Sequence, residues 1–171
     1  MSAKKDSPIL RAQKSYQELI SVANTLNKAS DQLGKIIAPV DLALKALNLG
    51  ISSWVSFNEW SDNSYNFERD EVGYCKVGGK WGIAIRSVSG NEDLPDETKL
   101  DGPWLFNEAP RKLRIQAIDK IPELLEALVK DAADTTKRIN EKLHESEELA
   151  KAISAQASAK EKPQQEAPLI E

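Results

Sequence analysis

The chain has 171 residues, 40% hydrophobic and 29% charged, with a net charge of −4. That length fits one domain with a tail, and the acidic balance disfavours nucleic acid as a partner, since such binding rests on phosphate neutralisation by Lys and Arg. A single cysteine, Cys75, and a single histidine, His144, exclude an intramolecular disulfide and a Cys/His zinc site.

The first residues, "MSAKKDSPIL", lack the apolar core of a signal peptide, and no stretch is apolar and long enough to span a bilayer. The expected compartment is therefore the cytoplasm, with no membrane partner. Ser7 and Pro8 read as the N-cap and first residue of a helix. From there Ile9, Ala12, Tyr16, Leu19, Ala23, Leu26, Ser30, Leu33, Ile37 and Val40 step by three and four, which is a heptad row. Ile20, Val22, Ala29 and Ile36 widen it toward its end, so the C-terminal part of the helix is expected to enter a core. Pro39 predicts a helix end near Ala38, a long helix over 8–38, and a short one after it; continuation past Pro39 is the competing reading.

Residues 40–110 read as an α/β head. "ISSWVSF" from Ile51 has strand composition, and "NEWSDNSYNFERD" reads as a loop or irregular hairpin. "YCKVGGKWGIAIR" from Tyr74 is a hairpin turning at Gly78-Gly79, with Trp81, Ile83 and Ile85 on one face. "SGNEDLPDETKLDGP" is expected to be an exposed acidic loop. Asn107 is the predicted cap of the next helix, and Pro122 must kink or divide that helix. Beyond it Leu125, Leu128, Ala132, Thr136, Ile139, Leu143, Ser146, Ala150 and Ile153 continue the stepping, with a stutter at Ala132. Residues 110–158 form the kinked second long helix, and 159–171 have the composition of a disordered tail.

The fold class expected is α+β and predominantly helical, with a small antiparallel sheet head of about three strands. Two long antiparallel helices flank the sheet and form a coiled-coil-like stalk, and residues 1–158 make a single domain. Ile9, Tyr16, Leu19, Leu26, Leu33, Leu128, Ile139, Leu143 and Ile153 are the candidate helix interface.

Chemistry-bearing motifs are few. "GGKWG" lacks the spacing of a phosphate loop and is followed by a strand. Cys75 has no base near it in sequence, and the acidic stretches lack calcium-loop spacing. Arg111, Lys112 and Arg114 crowd the start of a helix, where the dipole favours anions. They are the candidate anion or partner site, with pairing to the acidic loops the favoured explanation. The expected function is non-enzymatic: an interaction or structural protein that uses helical surfaces to form a homodimer or hold a protein partner, without cofactor, metal or catalytic residue. The alternative is a module that grips an anionic ligand or acidic partner through residues 111–114.

Overall fold

A computed structural model of the protein describes residues 7–160, with side chains to Gln156. The first six residues and the expected tail beyond Lys160 lie outside the described residues. The Ser7 hydroxyl accepts from the Leu10 N–H, and Pro8 occupies the first turn, so α1 (Pro8–Leu47) begins where the capping residues predict. It then runs 40 residues, straight through Pro39. Pro39 removes one donor from the helical ladder, but it and Lys35, whose carbonyl loses that donor, both face solvent. Water can satisfy the freed group, and the helix continues. Asn48, in the left-handed conformation with φ 48°, ends it.

Four strands follow in one meander: β1 (Ser53–Ser61), β2 (Asn66–Val77), β3 (Lys80–Asn91) and β4 (Leu94–Leu105), each antiparallel to the next. This corrects the expectation of about three strands. Gly78 and Gly79, at φ 55° and 85°, make the two-residue turn that the sequence signals. The acidic stretch expected to be a loop forms the end of β3, a tight turn and β4 instead. Most of β4 is exposed on both faces, so it shows no apolar alternation; its ladder to β3 holds it. Lys99, Pro95 and three acidic residues, Asp96, Glu97 and Asp101, mark it as a protected sheet edge.

One sheet face carries the core. Val72, Tyr74, Ile83 and Ile85 pack with Ile37 and Leu44 of α1, with Phe106, and with Ala117, Ile121, Leu124 and Leu128. The last four belong to α2 (Arg111–Ala117) and α3 (Ile121–Lys160), separated by a single 3₁₀ turn at residues 118–120. Pro122 thus sits in the first turn of α3, where it is tolerated, and the expected division of this helix occurs just before it. A bulge at Phe57 turns both Phe57 and Asn58 toward this side: Phe57 joins the core, and Asn58 donates to Gln116 of α2 at 3.1 Å. Asp70 accepts from Asn58 and from Ser87, so the polar end of this layer is satisfied.

The opposite sheet face is closed by side chains. A Cβ on Gly73 would stand 2.4 Å from the Trp54 ring, so that glycine is the seat on which the indole lies. The Arg86 guanidinium stacks over Trp54 at 3.9 Å and pairs with buried Glu71, which Arg69 also approaches at 2.9 Å.

The described residues through Leu128 form one compact unit, and the remainder of α3 from Val129 forms a second. The expected coiled-coil-like stalk is corrected with the strand count. A stalk buries its seam, whereas Ile9, Tyr16, Leu19 and Leu26 on α1, and Ile139, Leu143 and Ile153 on α3, are all exposed.

Candidate helix interface

The apolar row of α1 has two surroundings. Leu33 packs partly buried against the core, Gly34, Ile37 and Leu44 are buried, and the helix comes so close to the turn after β4 that a Cβ on Gly34 would meet the Asn107 side chain. Before Ser30 the large side chains of the same row lie bare: Ile9 is 71% exposed, Leu19 60% and Leu26 47%. Tyr16 of the row is exposed too, as are Leu10, Ile20 and Val22 outside it. Positions flanking the row hold Gln13, Ser15, Ile20, Val22, Asn27 and Ala29, with no charge among them. The stripe is therefore wider than a two-stranded seam and suits a helical bundle.

In the second unit, α3 exposes Val129, Ile139, Leu143, Leu149 and Ile153. A trough of about 540 Å³ runs along this row between Thr135 and Ser146, but its walls come from one helix and enclose nothing. The surface is charged on both sides of the row. Lys142 pairs with Glu145, and His144 lies 3.6 Å from Glu148.

Of the predicted interface residues, Leu128 is 3% exposed and belongs to the core of the first unit, and Leu33 packs against that core. The widening of the row sends the C-terminal part of α1 into a core, but a heptad row by itself does not single out Leu33 or Leu128.

The basic helix start has partners other than those expected. Arg111 donates to the Asn27 side chain at 2.6 Å, and Arg114, 8% exposed, donates to the Ser30 hydroxyl at 2.5 Å. Both partners lie on α1 and neither is acidic. Of the acidic residues upstream, Asp62 is engaged with Asn66, Asp70 with Asn58 and Ser87, and Glu71 with Arg69 and Arg86. The Arg114 Nε is buried without a hydrogen-bond partner. Lys112 is exposed. Arg111 and Arg114 thus brace α2 against α1 where the bare stripe begins, beside an apolar groove of about 180 Å³ lined by Leu26, Ala29, Ser30, Leu33, Arg111 and Ile115.

A second concavity, about 370 Å³, lies at the far end of α1 between Lys45, Asn48, Leu49, Tyr74, Lys80 and Trp81. Tyr74 and Trp81 stack there with ring centres 5.4 Å apart. Burial raises the Tyr74 hydroxyl above its ordinary pKa, with the Asp41 charge adding to the effect. Lys45 is already paired with Asp41, which leaves Lys80 as the other cation at this cleft.

Cys75 is buried on β2, and burial pushes its thiol pKa up against the smaller opposing effect of Arg86. Such a thiol is mostly protonated at neutral pH and a poor nucleophile. Among the described residues no group of His, Cys, Asp and Glu is placed to hold a metal ion, and no helix is long and apolar enough to cross a membrane.

Sequence reasoning missed the bracing pairs Asn27–Arg111 and Ser30–Arg114. Ser30 is the one polar residue in an otherwise apolar row, and that break is the signal that a polar group sits opposite. No protein-family model, no curated protein and no solved structure matches this chain.

Proposed function

We propose that the protein is a non-enzymatic interaction protein that self-associates through its helical faces. The observation that carries this reading is the bare half of the α1 row. Seven large apolar side chains, Ile9, Leu10, Tyr16, Leu19, Ile20, Val22 and Leu26, are exposed along one continuous helix. Fully burying one such side chain is worth about 1.5–3 kcal/mol. Two copies bring twice seven; at half the lower figure they contribute on the order of 10 kcal/mol, comparable to the roughly 4–15 kcal/mol that association costs. An exposed stripe of this length also leaves the N-terminal helix marginal by itself, since isolated helices in water gain little from propensity. Covering it stabilises the helix and forms the assembly in one step.

Light scattering at micromolar concentration tests this. The expected mass is twice the 18.9 kDa of the chain, falling toward one chain mass on dilution. Leu19→Asp should shift that dissociation to higher concentration while leaving the fold of the sheet unit intact by circular dichroism. A monomer at every concentration up to the millimolar range would refute the reading.

A further inference from the structure

Self-association through helical faces leaves open which face meets which, and in what direction. We propose that the bare half of α1 pairs with the bare half of α1 from a second copy, antiparallel, with Ile9 against Leu26 of the partner. This inference rests on the self-association reading and adds the surface, its direction and its register.

The bare row has the same pattern read from either end. Ile9, Ala12, Tyr16, Leu19, Ala23 and Leu26 are large, small, large, large, small and large. Laid antiparallel on itself, the row sets Ile9 on Leu26, Ala12 on Ala23 and Tyr16 on Leu19 of the partner. Small residues meet small, large meet large, and Ile20 and Val22 close the two sides of the row. Sliding one helix by a heptad in one direction leaves part of the row unpaired. Sliding it in the other brings Ile9 to Leu33, which already packs on its own core. Charge does not oppose the contact: Gln13, Ser15, Asn27 and Ala29 flank the row, and none is ionisable.

The body of the first unit selects the direction. From Ser30 onward the row is covered by the chain itself: Ser30 accepts from Arg114 of α2, and Leu33, Ile37 and Leu44 lie on the core. α1 continues through this stretch as one helix. Packed helices lie about 8–10 Å apart. Two parallel copies in register would have to fit both bodies into that gap past Ser30, whereas antiparallel copies carry their bodies to opposite ends. The ends also match. The helix begins at Pro8, and in this register Pro8 of one copy stands opposite Asn27 of the other, where Arg111 braces α2 on α1. Ile9 of one copy then reaches the other's apolar groove beside Leu26, whose α2 wall, Ile115, is 62% exposed. A two-fold axis crosses the row between Tyr16 and Leu19, so the same surface serves both copies and the contact closes at two. All of it lies within the first unit.

Cysteine pairs read the direction. The one native cysteine, Cys75, is buried, and wild type is the background control. Ala12→Cys and Ala23→Cys are made as separate variants and oxidised mildly, alone and mixed one to one. In the proposed register position 12 faces position 23 of the partner. Equal positions lie about 16 Å apart along the axis at 1.5 Å per residue, beyond the roughly 7 Å between Cα atoms that a disulfide spans. The mixture should therefore form covalent dimers, and each variant alone should form no more than wild type. Cross-linking of either variant alone above that background overturns the inference, as does a mixture that is dimeric by light scattering yet does not cross-link. A wild type that is monomeric before any substitution overturns the underlying reading instead, so the two failures are distinguishable. Should the cysteine variants lose helix content, a charge pair replaces them. Ile9→Glu and Leu26→Lys should each raise the dimer dissociation constant about tenfold or more. A chain carrying both should recover most of that loss, because each introduced carboxylate meets an introduced ammonium across the two-fold axis. A double variant that dimerises no better than the weaker single variant overturns the register.

Discussion

The two halves of α1 carry one apolar row and meet different fates. From Leu33 to Leu44 the row lies on the sheet layer, with Ile37 and Leu44 almost fully buried; from Ile9 to Leu26 it lies in solvent. Nothing in the spacing changes at the border. What changes is the neighbour: the core residues of β2 and β3 and the start of α3 reach only the C-terminal half. Periodicity therefore establishes which face of a helix is apolar. It does not establish what covers that face, or whether one chain supplies enough surface to cover it.

The largest expected effect separates the halves directly. Ile37→Asp places an unpaired carboxylate beside Ile83, Leu105 and Phe106 and should cost about 4 kcal/mol or more, measured as a fall in the denaturant midpoint. Leu19→Asp, on the bare half, should change the stability of the dissociated chain by no more than about 0.5 kcal/mol. Equal costs at the two positions would break the comparison, because they would place Leu19 inside a core.

Part of this contrast was legible, because the widening of the row by Ala29 and Ile36 pointed the C-terminal part of α1 into a core, where Ile37 and Leu44 are buried. The start of α1 at Ser7-Pro8, the Gly78-Gly79 turn and the break before Pro122 all rest on local chemistry, and each is found. Pro39 misled because a proline ends a helix only where its missing bond matters, and here the affected turn is wetted. β4 was missed because an edge strand open to water on both faces has no alternation to read; Leu94, Leu100 and Trp104 are too sparse to show a period of two. In the candidate interface, the sequence identified the apolar row of both helices. It could not assign Leu33 and Leu128 to the core, since that depends on contacts with residues far along the chain. The basic cluster at 111–114 was conspicuous, but its partners, Asn27 and Ser30, are 84 positions away and uncharged, so no charge pattern pointed to them.

The border itself gives the next test. Ser30→Ala removes the hydroxyl that accepts from Arg114, a buried cation whose Nε already lacks a partner. Hydrogen bonds to charged groups contribute about 1.5–3 kcal/mol, and the expected loss is about 2 kcal/mol. Ser30→Thr keeps the acceptor and should recover most of it. If Ser30→Ala were neutral, Arg114 would be finding another partner, and the bracing of α2 on α1 would not mark the border.

The smallest effect lies inside the packed half and concerns one carboxylate with two partners. Asp41 Oδ1 accepts from the Ile83 N–H at 2.8 Å, while its Oδ2 pairs with Lys45. The Ile83 donor lies beyond the last β3–β4 residue pair, Ala84 with Leu105, so α1 is capping a buried sheet donor that β4 does not reach. The second contact is an i,i+4 pair whose lysine side chain is 40% exposed, and pairs of that kind contribute about 0.3–0.5 kcal/mol. The two contacts differ because one satisfies a group that water cannot reach and the other competes with water. Asp41→Ala should therefore cost about 1–2 kcal/mol, and Lys45→Met no more than about 0.5 kcal/mol. Asp41→Asn, which keeps an oxygen acceptor and loses the charge, should behave like Lys45→Met, as measured by urea midpoints at constant pH. Raising the salt concentration should shrink the Lys45→Met effect and leave that of Asp41→Ala in place. Were the ion pair the larger contribution, the packed half of α1 would be held by surface charge, and its difference from the bare half would vanish in high salt.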